Sequence, residues 1–261
     1  MYDTFSRYKL GRKCPFCKHT KLYKIADERL KCSSCCKYFS LAKLRKDLTL
    51  LYYFYLETSA RKTAQEMGMS YKPVYFKFMH FRKVISEYLE AQFAELNGEL
   101  EIDESYFGGR RKGKRGRGAA GKVAVMGILE RKGRIYTTVI PDAKAETLMQ
   151  EIKSKTIKGS VFYTDTFKSY KSLTQVGKYL EINHQKDFAK GRTHINGIEG
   201  FWSYAKERLH KYHGVDQAHF HLYLKELEFR FNYRTENALN LLFEIVYRNA
   251  NLVRKQPNHL L

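Results

Sequence analysis

The sequence predicts an α/β fold, with a mixed-sheet domain standing behind a small metal-stapled module and a helical region. Three observations predict it. Two Cys-x-x-Cys pairs lie near the start, apolar residues then recur at helical spacing from Leu44 to Tyr88, and from Glu99 onward short apolar runs alternate with turn residues. The expected divisions are residues 1–40, 41–97, 98–215 and 216–261, the last a set of helices packing on the sheet domain.

The chain has 261 residues, enough for one large domain with small appended modules. Its net charge is +21, from 48 Lys and Arg against 27 Asp and Glu. That imbalance calls for a polyanionic partner. An anionic membrane surface competes with nucleic acid for the role. The basic residues are interleaved with Tyr and Phe over most of the length, however, and are not gathered on one amphipathic helix, so nucleic acid is the better fit. The longest apolar run, Leu48 to Leu56, is interrupted by Thr49 and is too short to cross a bilayer. With no secretory signal pattern, a cytoplasmic, nucleoid-associated protein is expected.

All five cysteines lie between positions 14 and 36. Cys14-Pro-Phe-Cys17 and Cys32-Ser-Ser-Cys35 are separated by fourteen residues, the spacing of a four-cysteine zinc ribbon, and in a reducing compartment ligation is favoured over disulfides. A module of roughly thirty residues cannot bury enough apolar surface to fold unaided, so one structural Zn2+ would supply much of its folding free energy. Cys36 either replaces Cys35 as a ligand or is an unliganded thiol. Arg7, Lys9, Arg12, Lys13, Lys18, Lys21 and Lys24 surround the knuckles and suit phosphate contact or a solvated face.

Leu44, Leu48, Leu51, Tyr52 and Tyr55 give the first helix, from Leu41 to about Glu57, one packing face. A second helix is capped at Thr58 or Ser59 and runs to Met67, where Gly68 ends it. Ser70 caps a third, with Pro73 in its first turn and Val74, Phe78, Phe81, Ile85 and Tyr88 on one side. This is the outline of a helix-turn-helix, and equally of an ordinary helical hairpin. The basic side chains Lys72, Lys77, Arg82 and Lys83 favour DNA.

Asn97-Gly98 marks the next boundary. Leu100 and Ile102 open a short strand that ends on Asp103. Val123–Leu129 and Ile135–Ile140 are two more strands, joined at Lys132-Gly133. Ala143 to Lys153 is helical, Ser160–Asp165 is an apolar strand ending on an acid, and Thr166–Lys171 begins a short helix. Tyr179–Asn183 is a further strand, and a helix from about Ile195 to Tyr212 carries Glu199 and Lys206. The tail is mostly helical, with Leu222, Leu227, Phe231, Leu239, Leu242 and Ile245 for packing.

Gly116-Arg-Gly-Ala-Ala-Gly121-Lys122 satisfies a Gly-x-Gly-x-x-Gly string and most of a phosphate-loop string. Both motifs need a strand before and a helix after, whereas this loop precedes a strand, and Val123 stands where Ser or Thr should bind magnesium. The nucleotide readings fail. What survives is a basic loop, Arg110, Arg111, Lys112, Lys114, Arg115, Arg117 and Lys122, able to clamp a phosphodiester backbone.

Two aspartates at strand ends and a glutamate on a helix are the ingredients of a two-ion site. Hard oxygen ligands suit Mg2+ or Mn2+, and two such ions about 4 Å apart assist phosphoryl transfer. The order strand with Asp103, meander, helix, strand with Asp165 and helix with Glu199 is that of an RNase H-like core, in which the two acid-bearing strands are adjacent. Lys206 follows Glu199 by seven residues, close to two turns, and would share its face.

Asp103-Glu-Ser-Tyr-Phe-Gly-Gly-Arg-Arg-Lys-Gly, Tyr163-Thr-Asp-Thr-Phe-Lys-Ser-Tyr and His194-Ile-Asn-Gly-Ile-Glu-Gly-Phe-Trp-Ser-Tyr-Ala-Lys206 resemble the three catalytic blocks of bacterial insertion-sequence transposases of the DDE class, in a subgroup with an N-terminal zinc ribbon. The resemblance covers almost the whole chain. It implies that Asp103, Asp165 and Glu199 bind the metals, that Lys206 is the trailing basic residue, and that double-stranded DNA, as element ends and target, is the partner of a homo-oligomer at synapsis. Some members of the wider family use Asn as the third ligand, so Asn196 rivals Glu199. A DNA-binding regulator with a relic core and a nuclease that cuts without joining are the alternatives.

Overall fold

The computed structural model describes residues 12–25, 29–108, 122–131, 133–165, 177–182, 195–212 and 215–248. They fall into two compact units, one from the residues up to Gln92 together with those from Thr235, the other from Phe93–Arg234.

The first unit opens on an antiparallel three-stranded sheet, β1 Leu22–Lys24, β2 Arg29–Cys32 and β3 Tyr38–Ser40, in that order. Ser40 ends β3 and caps α1, Leu41–Tyr55, accepting from the Lys43 N–H at 3.4 Å. Ser59 caps α2, Ala60–Glu66, in the same way, and Gly68 turns the chain at φ +59 into α3, Tyr71–Ala91. Leu44, Leu48, Leu51 and Phe54 of α1 are buried, as are Val74, Phe78, Phe81 and Ile85 of α3, and the Phe54 ring meets Phe78 and Phe81 edge-on at 5.3 and 5.4 Å. Two basic residues expected to face DNA are used internally instead. Lys77 Nζ pairs with Asp47 at 2.9 Å, and Arg82, 3% exposed, lies over the Phe54 ring. Lys72 and Lys83 remain exposed.

The second unit is a five-stranded mixed sheet, ordered β6-β5-β4-β7-β8. Its strands are β4 Glu99–Phe107, β5 Val123–Glu130, β6 Ile135–Ile140, β7 Val161–Asp165 and β8 Lys178–Ile182. β4, β5 and β6 form an antiparallel meander, while β7 runs parallel to β4 and β8 parallel to β7. β4 does not stop at Asp103 as the sequence suggests. It continues to Phe107 because β5 pairs with it along its length, from Leu100↔Glu130 to Phe107↔Val123.

Alternation divides the side chains of these strands between two cores. Leu100, Ile102, Met126, Ile128 and Phe162 pack with Leu148, Met149 and Ile152 of α4, Ala145–Lys155. On the opposite face, Phe107, Val125, Leu129 and Tyr163 pack with α5, Asn196–His210, and α6, Gln217–Asn232. The edge strand β6 is covered by α6. Glu228 accepts from the Thr137 N–H at 2.8 Å and its hydroxyl at 2.7 Å, and Asn232 accepts from the Ile135 N–H at 2.7 Å and donates to its carbonyl at 2.9 Å.

The C-terminal segment, expected to pack as a whole on the sheet domain, is divided. α6 belongs to the second unit, whereas α7, Ala238–Phe243, and the π-helical turn Glu244–Arg248 belong to the first. Leu239, Leu242, Phe243 and Ile245 are buried there.

Candidate functional site

Asp103 lies within β4 and Asp165 is the last residue of β7. The two strands run parallel, paired from Glu99↔Val161 to Glu101↔Tyr163, so each aspartate stands two residues past the last pair, on the same face of the sheet. Glu199 enters from the first turn of α5, which covers that face. The charges of Asp165 and Glu199 both reach Asp103. Burial pushes the Asp103 carboxyl up to about 6, against the pull of the Glu104 backbone N–H, and the charges of Asp165 and Glu199 add to the rise.

What sets α5 in place is Glu101, a residue the sequence reading passed over. It is 2% exposed; Oε2 accepts from the Ile198 N–H at 2.9 Å in the first turn of α5, and Oε1 accepts from Arg131 Nε at 3.1 Å. A carboxylate there replaces the side-chain cap that Ile195 cannot provide and complements the positive end of the helix. The approach is so close that a Cβ on Gly197 would come within 2.8 Å of that oxygen. Arg131 is itself clamped, its guanidinium 3.6 Å over the Tyr163 ring. The available signal was Glu101's place on the strand face of Asp103, two residues away, with Gly197 opposite. Glu101→Ala should lower the stability of this unit by about 1–3 kcal/mol, since it leaves a helix N–H without its acceptor and removes the nearer of the two carboxylates, Glu101 and Glu99, that Arg131 meets; denaturant titration checks it.

The ISXO2-like transposase domain matches residues 95–232, which take in the five strands and all three acids. The chain belongs to that transposase family. Its relatives agree. An "uncharacterized transposase-like protein" of Haemophilus influenzae is 44% identical over 102 residues, 39% of this transposase and 83% of the relative. An "uncharacterized protein in transposable element ISH50" of Halobacterium salinarum is 27% identical over 260 residues, 86% of each chain. Among solved structures, a pre-cleavage Mos1 transpososome aligns over 92% of this chain and 86% of its own, at 12% identity and TM-score 0.27. A simian T-cell lymphotropic virus intasome, of which the chain spans 60%, aligns over 65% of this transposase at 11% identity and TM-score 0.29.

The transposase also carries a four-cysteine cluster able to hold a metal ion. The Sγ atoms of Cys14, Cys17, Cys32 and Cys35 all lie within 4.8 Å of one another, with Cys14 3.6 Å from Cys35 and Cys17 3.5 Å from Cys32. Four thiols at such range fit a tetrahedral ion such as Zn2+. The two knuckles repeat one hydrogen-bond pattern. Lys18 and Cys36 donate to the carbonyls of Cys14 and Cys32, while those cysteines donate to the carbonyls of His19 and Lys37. Both Lys18 and Cys36 are left-handed, at φ 66 and 56. Cys36 is therefore the counterpart of Lys18, a turn residue, exposed and outside the cluster. Burial pushes the Cys14 thiol up to about 12. Burial would raise Cys32 too, but the N–H groups of Cys35 and Ser34 and the neighbouring thiols outweigh it and bring it down to about 7.

Lys206 is exposed on α5, two turns beyond Glu199, which is also exposed; Ile198, Phe201 and Trp202 between and beside them are buried. Asn196 is the first residue of α5, exposed. Glu104 stands opposite Met126 on the other face of β4 from Asp103. Lys122 is partly exposed just before β5. Arg110, Arg111, Lys112, Lys114, Arg115 and Arg117 lie outside the described residues, as do Arg7, Lys9, and the helix expected from Thr166. No helix among the described residues is long and apolar enough to cross a membrane.

Proposed function

We propose that this chain is the DNA transposase of an insertion sequence. It binds the terminal inverted repeats of its element, hydrolyses the phosphodiester at the element end to free a 3′-hydroxyl, and joins that hydroxyl to target DNA. The observation that carries this reading is the approach of three carboxylates from two adjacent parallel strands and a separately anchored helix, inside a transposase domain. The meander followed by two parallel strands supports an RNase H-like core.

Asp103, Asp165 and Glu199 offer only oxygen donors, and their mutual repulsion, felt at Asp103, is what a divalent cation would relieve; the set fits Mg2+ or Mn2+. Two such ions, when bound, supply Lewis-acid activation of the attacking oxygen and stabilisation of the leaving one. Lys206, exposed on the same helix as Glu199, would hold a substrate phosphate beside it. Lys122 and the basic loop before it would grip the strand being cut, and the net charge of +21 draws the duplex in. The four-cysteine ribbon with its zinc, and the exposed bases of α3, would hold the element ends, one copy of the chain per end in a homo-oligomer.

The test is strand transfer with pre-cut element ends, a target plasmid and Mg2+. Joined product is expected. Cleavage of uncut ends without joining would instead mark a nuclease, and specific binding without either reaction a regulator.

A further inference from the structure

Trp202 is the one tryptophan in the chain, and at 3% exposure its indole N–H has no hydrogen-bond partner among the described residues. A buried donor without an acceptor is a net cost, and a phenylalanine would fill apolar space without it. The ring's place suggests why the donor is there. Asp103 and Gly127 face each other across β4 and β5, and cross-strand partners project to one face. The Trp202 carbons Cζ2 and Cη2 stand 2.7 and 3.0 Å from where a Gly127 Cβ would be. Trp202 thus occupies the space that glycine leaves beside Asp103, and Cζ2 is on the N–H side of the indole. The ring is held there by edge contacts with Phe107 at 6.0 Å and Phe201 at 5.2 Å.

We propose that Trp202 is a positioning residue of the candidate active site, its N–H taking one oxygen of Asp103 and orienting that carboxylate for a divalent ion. This rests on the reading of Asp103 as a metal ligand. Carboxylates that bind metals are themselves held by outer hydrogen bonds, and loss of such a partner weakens metal binding about 10–100-fold.

Because the tryptophan is single, it can be replaced biosynthetically by benzothienylalanine, which puts sulfur in place of the N–H and keeps the ring shape. Trp202→Phe is the second variant. Mn2+ binding to the zinc-loaded full chain without DNA is measured by calorimetry, together with thermal unfolding. Mn2+ affinity about 10–100-fold weaker, with unfolding unchanged in the benzothienyl protein, is the expected result. Unchanged affinity in both variants, while Asp103→Asn abolishes binding, overturns the role of Trp202 and leaves the metal-site reading standing. Unchanged affinity in Asp103→Asn as well overturns both.

Discussion

Asp103→Ala, Asp165→Ala and Glu199→Ala should each lower Mg2+-dependent cleavage and joining of element-end DNA by about a thousandfold or more, with binding of the same duplex unchanged. The reason is local. A two-ion site distributes its charge over three carboxylates, and two cannot hold both cations against the repulsion between them. The acids belong to the second compact unit, the ribbon and α3, where the element ends are proposed to bind, to the first, so affinity should survive. A second readout separates chemistry from folding. Thermal unfolding of each variant, compared with that of the parent, is that readout. Normal strand transfer by all three variants would sink the assignment; loss of activity accompanied by unfolding would show only that the fold had been damaged.

Stripping the zinc should have an effect of similar size on a different step. Structural zinc contributes on the order of 10–16 kcal/mol to small zinc-finger peptides, far beyond what the ribbon's own core can supply. Among the described residues around the knuckles, that core is little more than Cys14, Cys32 and Phe39, with Phe16 edge-on to Phe39 at 6.1 Å. Cys14→Ser or Cys32→Ser, or a strong chelator, should release about one zinc per chain, unfold the ribbon and abolish specific end binding. The five-stranded sheet should stay folded, since it forms its own compact unit. Metal analysis, circular dichroism and a mobility-shift assay read these outcomes. Undiminished end binding by the zinc-free chain would show that the ribbon is not the reader.

The helical spacing in α1 and α3 was enough to find their buried faces, and apolar runs located β5, β6 and β7, because both are written in residue type; that the sheet carries a core on each face was not read. The order of the acids gave away their adjacency, since few sheets bring Asp103 and Asp165 together except through parallel neighbours. The anchoring of α5 was hidden. Glu101 reads as one more polar residue on a strand, and only the close approach of Gly197 and the Ile198 N–H turns it into a buried cap. Lys77 and Arg82 were misread for the converse reason: a helix face shows which side is charged, but not that Asp47 and Phe54 wait opposite. The length of β4 depended on a partner strand 16 to 22 residues away in sequence, beyond any local signal.

The plugging of β6 by Glu228 and Asn232 bears on assembly. An edge whose amides already bond to the protein's own helix offers no template for another chain's strand. If two copies come together on paired DNA ends as proposed, the Ile135 and Thr137 amides of β6 are already taken, which disfavours one continuous sheet through that edge and favours a junction through side chains or the nucleic acid itself. Such a junction can come apart when the DNA is released, leaving each sheet as it was.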